Sequence, residues 1–98
     1  MYQFGNLLEE LEVLENLREK AEQAYFDNED DLEIEEAFGE AVNAESAAFH
    51  RLCDAIVEYT DGRIQSHGAM RIITSKREAL RELISCMQLH STIRRVMK

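Results

Sequence analysis

Cys53 and His50 are the residues whose types and spacing come closest to nucleophilic catalysis. They lie three positions apart, a spacing that places two side chains on one face of a helix. A catalytic pair also needs a third group to orient the base, and no motif in the sequence supplies one. Free cysteines are commonly buried and inert, so the sequence favours a packed Cys53 beside a solvated His50. We therefore predict that the protein is not an enzyme.

Metal and cofactor sites are equally weakly indicated. His50, His67 and His90 are widely separated, and none follows a glutamate at the Glu-x-x-His spacing of di-iron bundles. The acidic run over residues 27–36 lacks the glycine and the alternating ligands of a calcium loop. The four glycines are isolated, so no loop that could cradle a phosphate is present. We predict no metal and no cofactor.

Composition predicts an all-α protein. The 98 residues suit a single domain over 1–98, contain no proline, and are rich in the strong helix formers Glu, Leu, Ala, Arg and Met. No stretch approaches the roughly 20 apolar residues that span a bilayer, and no signal peptide is indicated. Two cysteines are too few for a disulfide framework. These observations predict a cytoplasmic protein with no membrane partner.

Apolar residues at helical spacing predict three helices, over about 6–26, 31–60 and a last one that begins near 67 or near 76 and ends at 97. Asn6 with Glu9 has the spacing of a capping pair, and so has Asp30 with Glu33. Gly62, after Asp61, predicts the end of the second helix. For the last helix, either Ser66 or Ser75 with Glu78 could form the cap.

The simplest architecture is a small three-helix bundle with up-down-up topology. The apolar face of the second helix is wide enough to touch two neighbours, so a homodimer would complete the bundle. Its possible dimer face is Phe49, Ile56 and Tyr59.

Two residues of the second helix depart from its pattern. Gly39 costs about 1 kcal/mol in a helix interior, which predicts either a close approach of another helix there or a kink. If the first two helices fold back on each other, Gly39 would also leave room for Arg18. Glu45 occupies a stripe position where an apolar residue is expected. Either it reaches water at the margin of the stripe, or it is paired with Arg18 or Arg81, because an unpaired buried carboxylate is costly.

Charge is distributed unevenly along the chain. Residues 1–62 hold 18 acidic and 3 basic residues, a net of −15, and residues 63–98 hold 2 acidic and 8 basic residues, a net of +6. The total is −9. Ordered carboxylates on a helical scaffold can resemble a phosphate backbone and occupy the basic groove of a nucleic-acid-binding protein. By analogy of class, small acidic inhibitors of phages and mobile elements work in this way.

We therefore predict an acidic inhibitor or regulator that binds a basic, nucleic-acid-handling protein. Its predicted partner-binding residues are Glu12, Glu15, Glu19, Glu22, Glu29, Asp30, Asp31, Glu33, Glu35, Glu36 and Glu40. The alternative is a solvated acidic face that binds no partner and only maintains solubility.

Two other functions stay open. The basic last third could contact nucleic acid, or could pair with the acidic helices within the chain or across a dimer, through Arg77, Arg81, Arg94, Arg95 and Lys98. Direct nucleic-acid binding is disfavoured, because the total charge is −9 and no aromatic residue follows Tyr59. The other alternative is a plain dimeric adaptor or assembly subunit that binds through its apolar faces.

Overall fold

The computed structural model describes residues 4–96, and for residues 89–95 it describes the backbone alone. These residues contain four α-helices and no strand: α1, Phe4–Asp27; α2, Leu32–Tyr59; α3, Ser66–Ser75; and α4, Arg77–Val96. The predicted all-α class is confirmed. The predicted number of three helices is wrong for this part of the chain, because the last third forms two helices rather than one.

The chain divides into two compact units. We call residues 6–52, which contain most of α1 and the larger part of α2, the hairpin unit. The C-terminal unit comprises, among the described residues, 4–5 and 53–96, with the end of α2, α3 and α4. Its buried apolar residues come from every one of its helices: Phe4, Cys53, Ala55, Ile56, Ala69, Ile73, Leu80 and Ile84.

In the hairpin unit, α1 and α2 run antiparallel. Three cross-helix contacts establish this: the rings of Tyr25 and Phe38 lie 5.3 Å apart, Arg18 pairs with Glu45, and Arg51 pairs with Glu10. The paired positions move outward symmetrically from the turn at residues 28–31, as antiparallel packing requires. Leu8, Leu11, Ala48 and Leu52 are buried.

Asp31 caps the start of α2. Its carboxylate accepts hydrogen bonds from the backbone N–H groups of Glu33 at 3.0 Å and Ile34 at 3.3 Å. These are among the donors that have no partner inside the helix. The predicted cap at Asp30 is therefore wrong by one residue. The predicted cap at Asn6 is also wrong, because α1 is already helical at Phe4.

The predicted stop at Asp61 and Gly62 is confirmed. Both residues have positive φ, 58° and 79°. The N–H of Gly62 donates to the carbonyl of Val57 at 2.9 Å, and the N–H of Asp61 donates to that of Glu58 at 3.1 Å. This is the Schellman arrangement, in which the last helical carbonyls find donors beyond the helix end. The left-handed position itself is Asp61, a residue type that tolerates this conformation.

A single residue, Lys76, separates α3 from α4. Its φ of −128° and ψ of 36° leave the helical region, although its N–H still donates to the carbonyl of Ile72 at 2.9 Å. The Nε of Arg77 donates to the carbonyl of Ile73 at 3.1 Å. The alternatives at Ser66 and Ser75 are both corrected, since Gln65 is the N-cap of α3 and Ser75 is its last residue.

The close approach expected at Gly39 is not found. A Cβ added at this position would meet no described atom within 4 Å, so no described part of the chain approaches it closely and it makes no room for Arg18. Within the structure Gly39 is an exposed interior residue of α2.

Candidate protein-binding surface

The hairpin unit carries most of the acidic charge. Residues 6–52 contain 15 acidic and 3 basic residues, and residues 21–50 contain no lysine or arginine. Both antiparallel helices therefore present carboxylates with little countercharge.

Arg18 is the centre of a charge network between α1 and α2. Its Nε donates to Glu45 and its Nη1 donates to Glu22 at 2.6 Å, with Glu19 at 4.0 Å from Nη2. The side chains of Arg18 and Glu45 are 27% and 24% exposed. The hydrogen bond to Glu45 is the largest influence that raises the pKa of Arg18 above its ordinary value, with the nearby carboxylates adding to it and burial opposing it. Of the alternatives for Glu45, the paired one with Arg18 is present.

Arg51 is the second cation of the hairpin unit with a carboxylate partner. Its Nη2 donates to the Glu10 carboxylate, and both side chains are about half exposed. Two of the three cations of this unit therefore neutralise carboxylates inside it. A pair as exposed as Arg51–Glu10 contributes little stability. Residues 21–50 contain no lysine or arginine, so the carboxylates near the turn have no basic residue in their own segment.

The structure brings the predicted acidic residues onto this one unit. Glu12, Glu15 and Glu22 are half-buried, and Glu22 is bound to Arg18. The other eight are exposed to solvent: Glu19, Glu29, Asp30, Asp31, Glu33, Glu35, Glu36 and Glu40.

The turn between the helices is the densest part of this surface. Asp27, Glu29, Asp30, Asp31 and Glu33 surround a shallow depression there, together with Asn28, and we call these five acids the acidic tip. The positive end of the α2 dipole favours its members Asp31 and Glu33.

Sequence reasoning missed two apolar side chains at the acidic tip. Phe26 and Leu32 are 59% and 73% exposed, one at the end of α1 and the other at the start of α2. Their position beside the turn was the available signal, because a residue at a helix end has few neighbours to cover it. Aromatic side chains are enriched in protein–protein interfaces, so the exposed Phe26 is suited to contact a protein partner.

Cys53 is not placed for nucleophilic chemistry. Its side chain is buried, and burial, followed by the nearby charge of Asp54, raises the pKa of its thiol. Its neutral form is therefore favoured. His50 is exposed and makes an edge contact with the ring of Phe49. Among the described residues no group of three or more His, Cys, Asp or Glu side chains is arranged to hold a metal ion.

The remaining predicted site residues lie mostly in the C-terminal unit. Arg77 is half-buried at the α3–α4 junction and Arg81 is exposed. The side chains of Arg94 and Arg95, and Lys98 as a whole, lie outside the described residues. Of the possible dimer face, Ile56 is buried within the chain, Phe49 is half-buried and Tyr59 is 52% exposed.

Comparisons with protein families, curated proteins and solved structures give no match to this chain. Within the described residues, every helix is too short or too polar to cross a membrane.

Proposed function

We propose that the protein is a non-enzymatic inhibitor or regulator that binds a basic, nucleic-acid-handling protein through the acidic face of its hairpin unit. The observation that carries the proposal is charge density. Residues 15–47 hold 12 acidic and 2 basic residues, a net of −10. The two antiparallel helices share this charge along about 24 Å, which is the rise of residues 32–47 of α2 at 1.5 Å per residue. The pair therefore carries one net charge per about 2.4 Å. Duplex DNA carries one per about 1.7 Å.

The fold supports this role because it fixes the carboxylates in space. Helical positions three and four apart lie on one face, so Glu33, Glu36 and Glu40 form a row along α2. The Tyr25–Phe38 contact and the Arg18–Glu45 pair hold α1 beside α2. A rigid row of charge steers a basic partner and makes association fast and salt-sensitive. Phe26 and Leu32 would then add apolar contact at the acidic tip.

The experiment compares two variants with the same change in total charge. The hairpin variant leaves the capping residue Asp31 unchanged. It carries the substitutions Glu29→Gln, Asp30→Asn, Glu33→Gln, Glu36→Gln and Glu40→Gln. The matched control neutralises the five acids of the C-terminal unit: Asp54→Asn, Glu58→Gln, Asp61→Asn, Glu78→Gln and Glu82→Gln. Each tagged protein is used to capture partners from lysate with and without nuclease treatment, with elution in steps of rising salt.

A captured protein is accepted as the proposed partner only if it binds labelled nucleic acid and the unmodified chain displaces that nucleic acid from it. We expect the hairpin variant to lose capture and displacement and the control to keep both. Equal behaviour of the two variants would refute the proposal. Capture that disappears on nuclease treatment would instead support nucleic-acid binding by the basic last third.

Self-association is a second candidate, as a homodimer that completes the helical bundle. The observation in its favour is that Tyr59, a residue of the predicted dimer face, is 52% exposed in the single chain. Its ring is therefore accessible to a second copy. Sedimentation velocity over a hundredfold range of concentration tests it. A single monomer species throughout would remove it.

The proposed location is the cytosol. Cys53 and Cys86 are both free thiols, and reducing compartments keep them so. Detection of the tagged protein in a compartment with oxidising conditions would contradict this part of the proposal.

A further inference from the structure

The part of the hairpin unit nearest its turn has no core of its own. From residue 12 to residue 47 no residue is buried, and the buried residues of the unit all lie outside that range, at Leu8, Leu11, Ala48 and Leu52. A helix gains most of its stability by packing an apolar face against a neighbour. Residues 12–47 therefore keep apolar surface that is left for another chain to cover.

The ion pair between Glu10 and Arg51 marks one side of this hairpin. Positions three, four and seven residues apart share a side of a helix, so the rows that continue from these two residues toward the turn lie side by side. The row on α1 contains valine, leucine and alanine, and the row on α2 contains alanine. We call these nine residues the apolar face: Val13, Leu14, Leu17, Ala21, Ala24, Ala37, Ala41, Ala44 and Ala48.

The apolar face is open to solvent and uncharged. Val13 and Leu17 are 52% and 50% exposed, and every other member except Ala48 is half-buried or exposed. The hairpin unit holds 15 acidic residues, and none of them is a member of the face. Two acidic chains repel each other unless they meet where carboxylates are absent. The face therefore suits a partner that is itself acidic, such as a second copy of this chain, and offers no carboxylate to a basic partner.

The shape of the apolar face is complementary to itself. The Arg18–Glu45 pair fixes the register of the two helices, so that Leu17 lies level with Ala44. A two-fold axis parallel to the helices places α1 of each copy on α2 of the other, which is an isologous contact. The two leucines of α1 then meet the alanines of α2, and large side chains interdigitate with small ones.

From these observations we propose that a second copy of the chain packs on the apolar face, so that two hairpin units form one four-helix bundle. The proposal rests on the self-association candidate described above and gives it a contact other than Tyr59. The same axis brings Lys20 of one copy to about the level of Glu40 of the other. Lys20 is exposed and has no ion pair among the described residues, and Glu40 of the second copy supplies one at the margin of the bundle.

The area of this side of the hairpin suits a reversible dimer. It extends about 27 Å along α2, from Glu33 to Arg51 at 1.5 Å per residue, and about 20 Å across two helices that are each ~10 Å wide. That gives about 540 Å² per copy in projection, or about 1,100 Å² for two copies, and roughly 1,000 Å² is the lower limit for a biological interface. We therefore expect monomer and dimer to exchange.

Sedimentation velocity over a hundredfold range of concentration is the first test. The unmodified chain should shift from monomer to dimer as its concentration rises, and Leu17→Glu should stay a monomer because its carboxylate would be buried in the contact. The matched control is Val42→Glu, which places the same charge at a 40% exposed residue of α2 outside both rows and should still dimerise. A monomer at every concentration, a dimer that survives Leu17→Glu, or equal loss in both variants would overturn the proposal.

Charge reversal tests the arrangement without changing the apolar face. Lys20→Glu should weaken the dimer by about tenfold, because each exposed pair contributes little but the axis forms it twice. Adding Glu40→Lys should restore the affinity, whereas adding Glu35→Lys, the same charge change at an exposed residue on another side of α2, should not. All of these residues are exposed, so the circular dichroism spectra should stay helical. Equal recovery by both second changes would show an effect of total charge and refute the arrangement.

The outcomes also separate this proposal from the acidic-surface proposal. Leu17→Glu should still capture the basic partner, and the hairpin variant described above should still dimerise, since it changes no residue of the apolar face. If Leu17→Glu loses the captured protein while the unmodified chain is a monomer, the face binds a foreign partner and the proposal is overturned. If Tyr59→Ser abolishes the dimer and Leu17→Glu does not, the contact lies at Tyr59 and the proposal is equally overturned.

Discussion

Replacing Gly39 by alanine should stabilise the protein. Gly39 lies inside α2, where glycine is less favourable than alanine by about 0.8–1.0 kcal/mol because the unfolded glycine has more freedom to lose. A Cβ at this position would meet no described atom within 4 Å, so no packing penalty offsets the gain. For a domain of this size, 1 kcal/mol corresponds to a rise in Tm of about 4–8 °C.

Gly62 provides the matched control for this prediction. A Cβ there also meets nothing within 4 Å, but its φ is +79°, and a left-handed conformation costs an L-residue about 1–2 kcal/mol. The same chemical change should therefore destabilise the protein by about 1 kcal/mol at Gly62. Because both positions are open, the difference between the variants isolates the backbone conformation.

The assay is urea unfolding followed by far-ultraviolet circular dichroism at several protein concentrations. Gly39→Ala should raise the midpoint and Gly62→Ala should lower it, with similar slopes for both. A loss of stability in Gly39→Ala would refute the reasoning that α2 is continuous and uncovered there. A loss that grows with protein concentration would show that another copy packs on Gly39.

Three further predictions concern other parts of the fold. Asp31→Ala should destabilise the protein by about 1 kcal/mol through loss of the helix cap, whereas Asp31→Asn should cost little; equal losses in urea unfolding would show that charge rather than capping matters. Iodoacetamide should modify exposed Cys86 first and Cys53 only on unfolding, because Cys53 is buried and burial raises the pKa of its thiol. Because the pKa of Cys53 is higher in the folded state, the free energy of unfolding should fall as the pH rises from the unfolded pKa to the folded pKa. A double-mutant cycle of Arg18→Met and Glu45→Leu should show favourable coupling that weakens in high salt, and additive effects would rule out the pair.

Sequence patterns predicted the helical class and most helix ends, because these depend on local chemistry. Apolar spacing located α1 and α2 to within two residues, and Asp61–Gly62 marked the end of α2 correctly. The cap of α2 was misplaced because Asp30 and Asp31 are chemically equivalent, and only the backbone decides which carboxylate reaches the free N–H groups. The polar Glu45 in an apolar stripe left two possibilities open, contact with water or pairing with an arginine, and antiparallel packing brings Arg18 to it.

The features that sequence missed arise from packing. The capping patterns at Ser66 and Ser75 indicated two alternative starts for one last helix, and no local signal showed that helices begin near both of them. The C-terminal unit also has an apolar groove, lined by Phe4 of α1 and by residues of α2, α3 and α4. It depends on how four helices meet, and no spacing rule gives that. The same holds for Phe26 and Leu32, whose exposure reflects missing neighbours rather than their own chemistry.

The hairpin from Ala21 to His50 contains neither lysine nor arginine, and this determines which reagents can report on it. Trypsin cannot cut between Lys20 and Arg51, so the whole acidic tip should leave a digest as one peptide. Amine-directed cross-linkers find no target on that surface, and a complex formed there would escape them. Carbodiimide coupling joins carboxylates directly to amines, so a lysine-rich partner should be captured at the acidic tip itself, with the joined side chain identifying the contact.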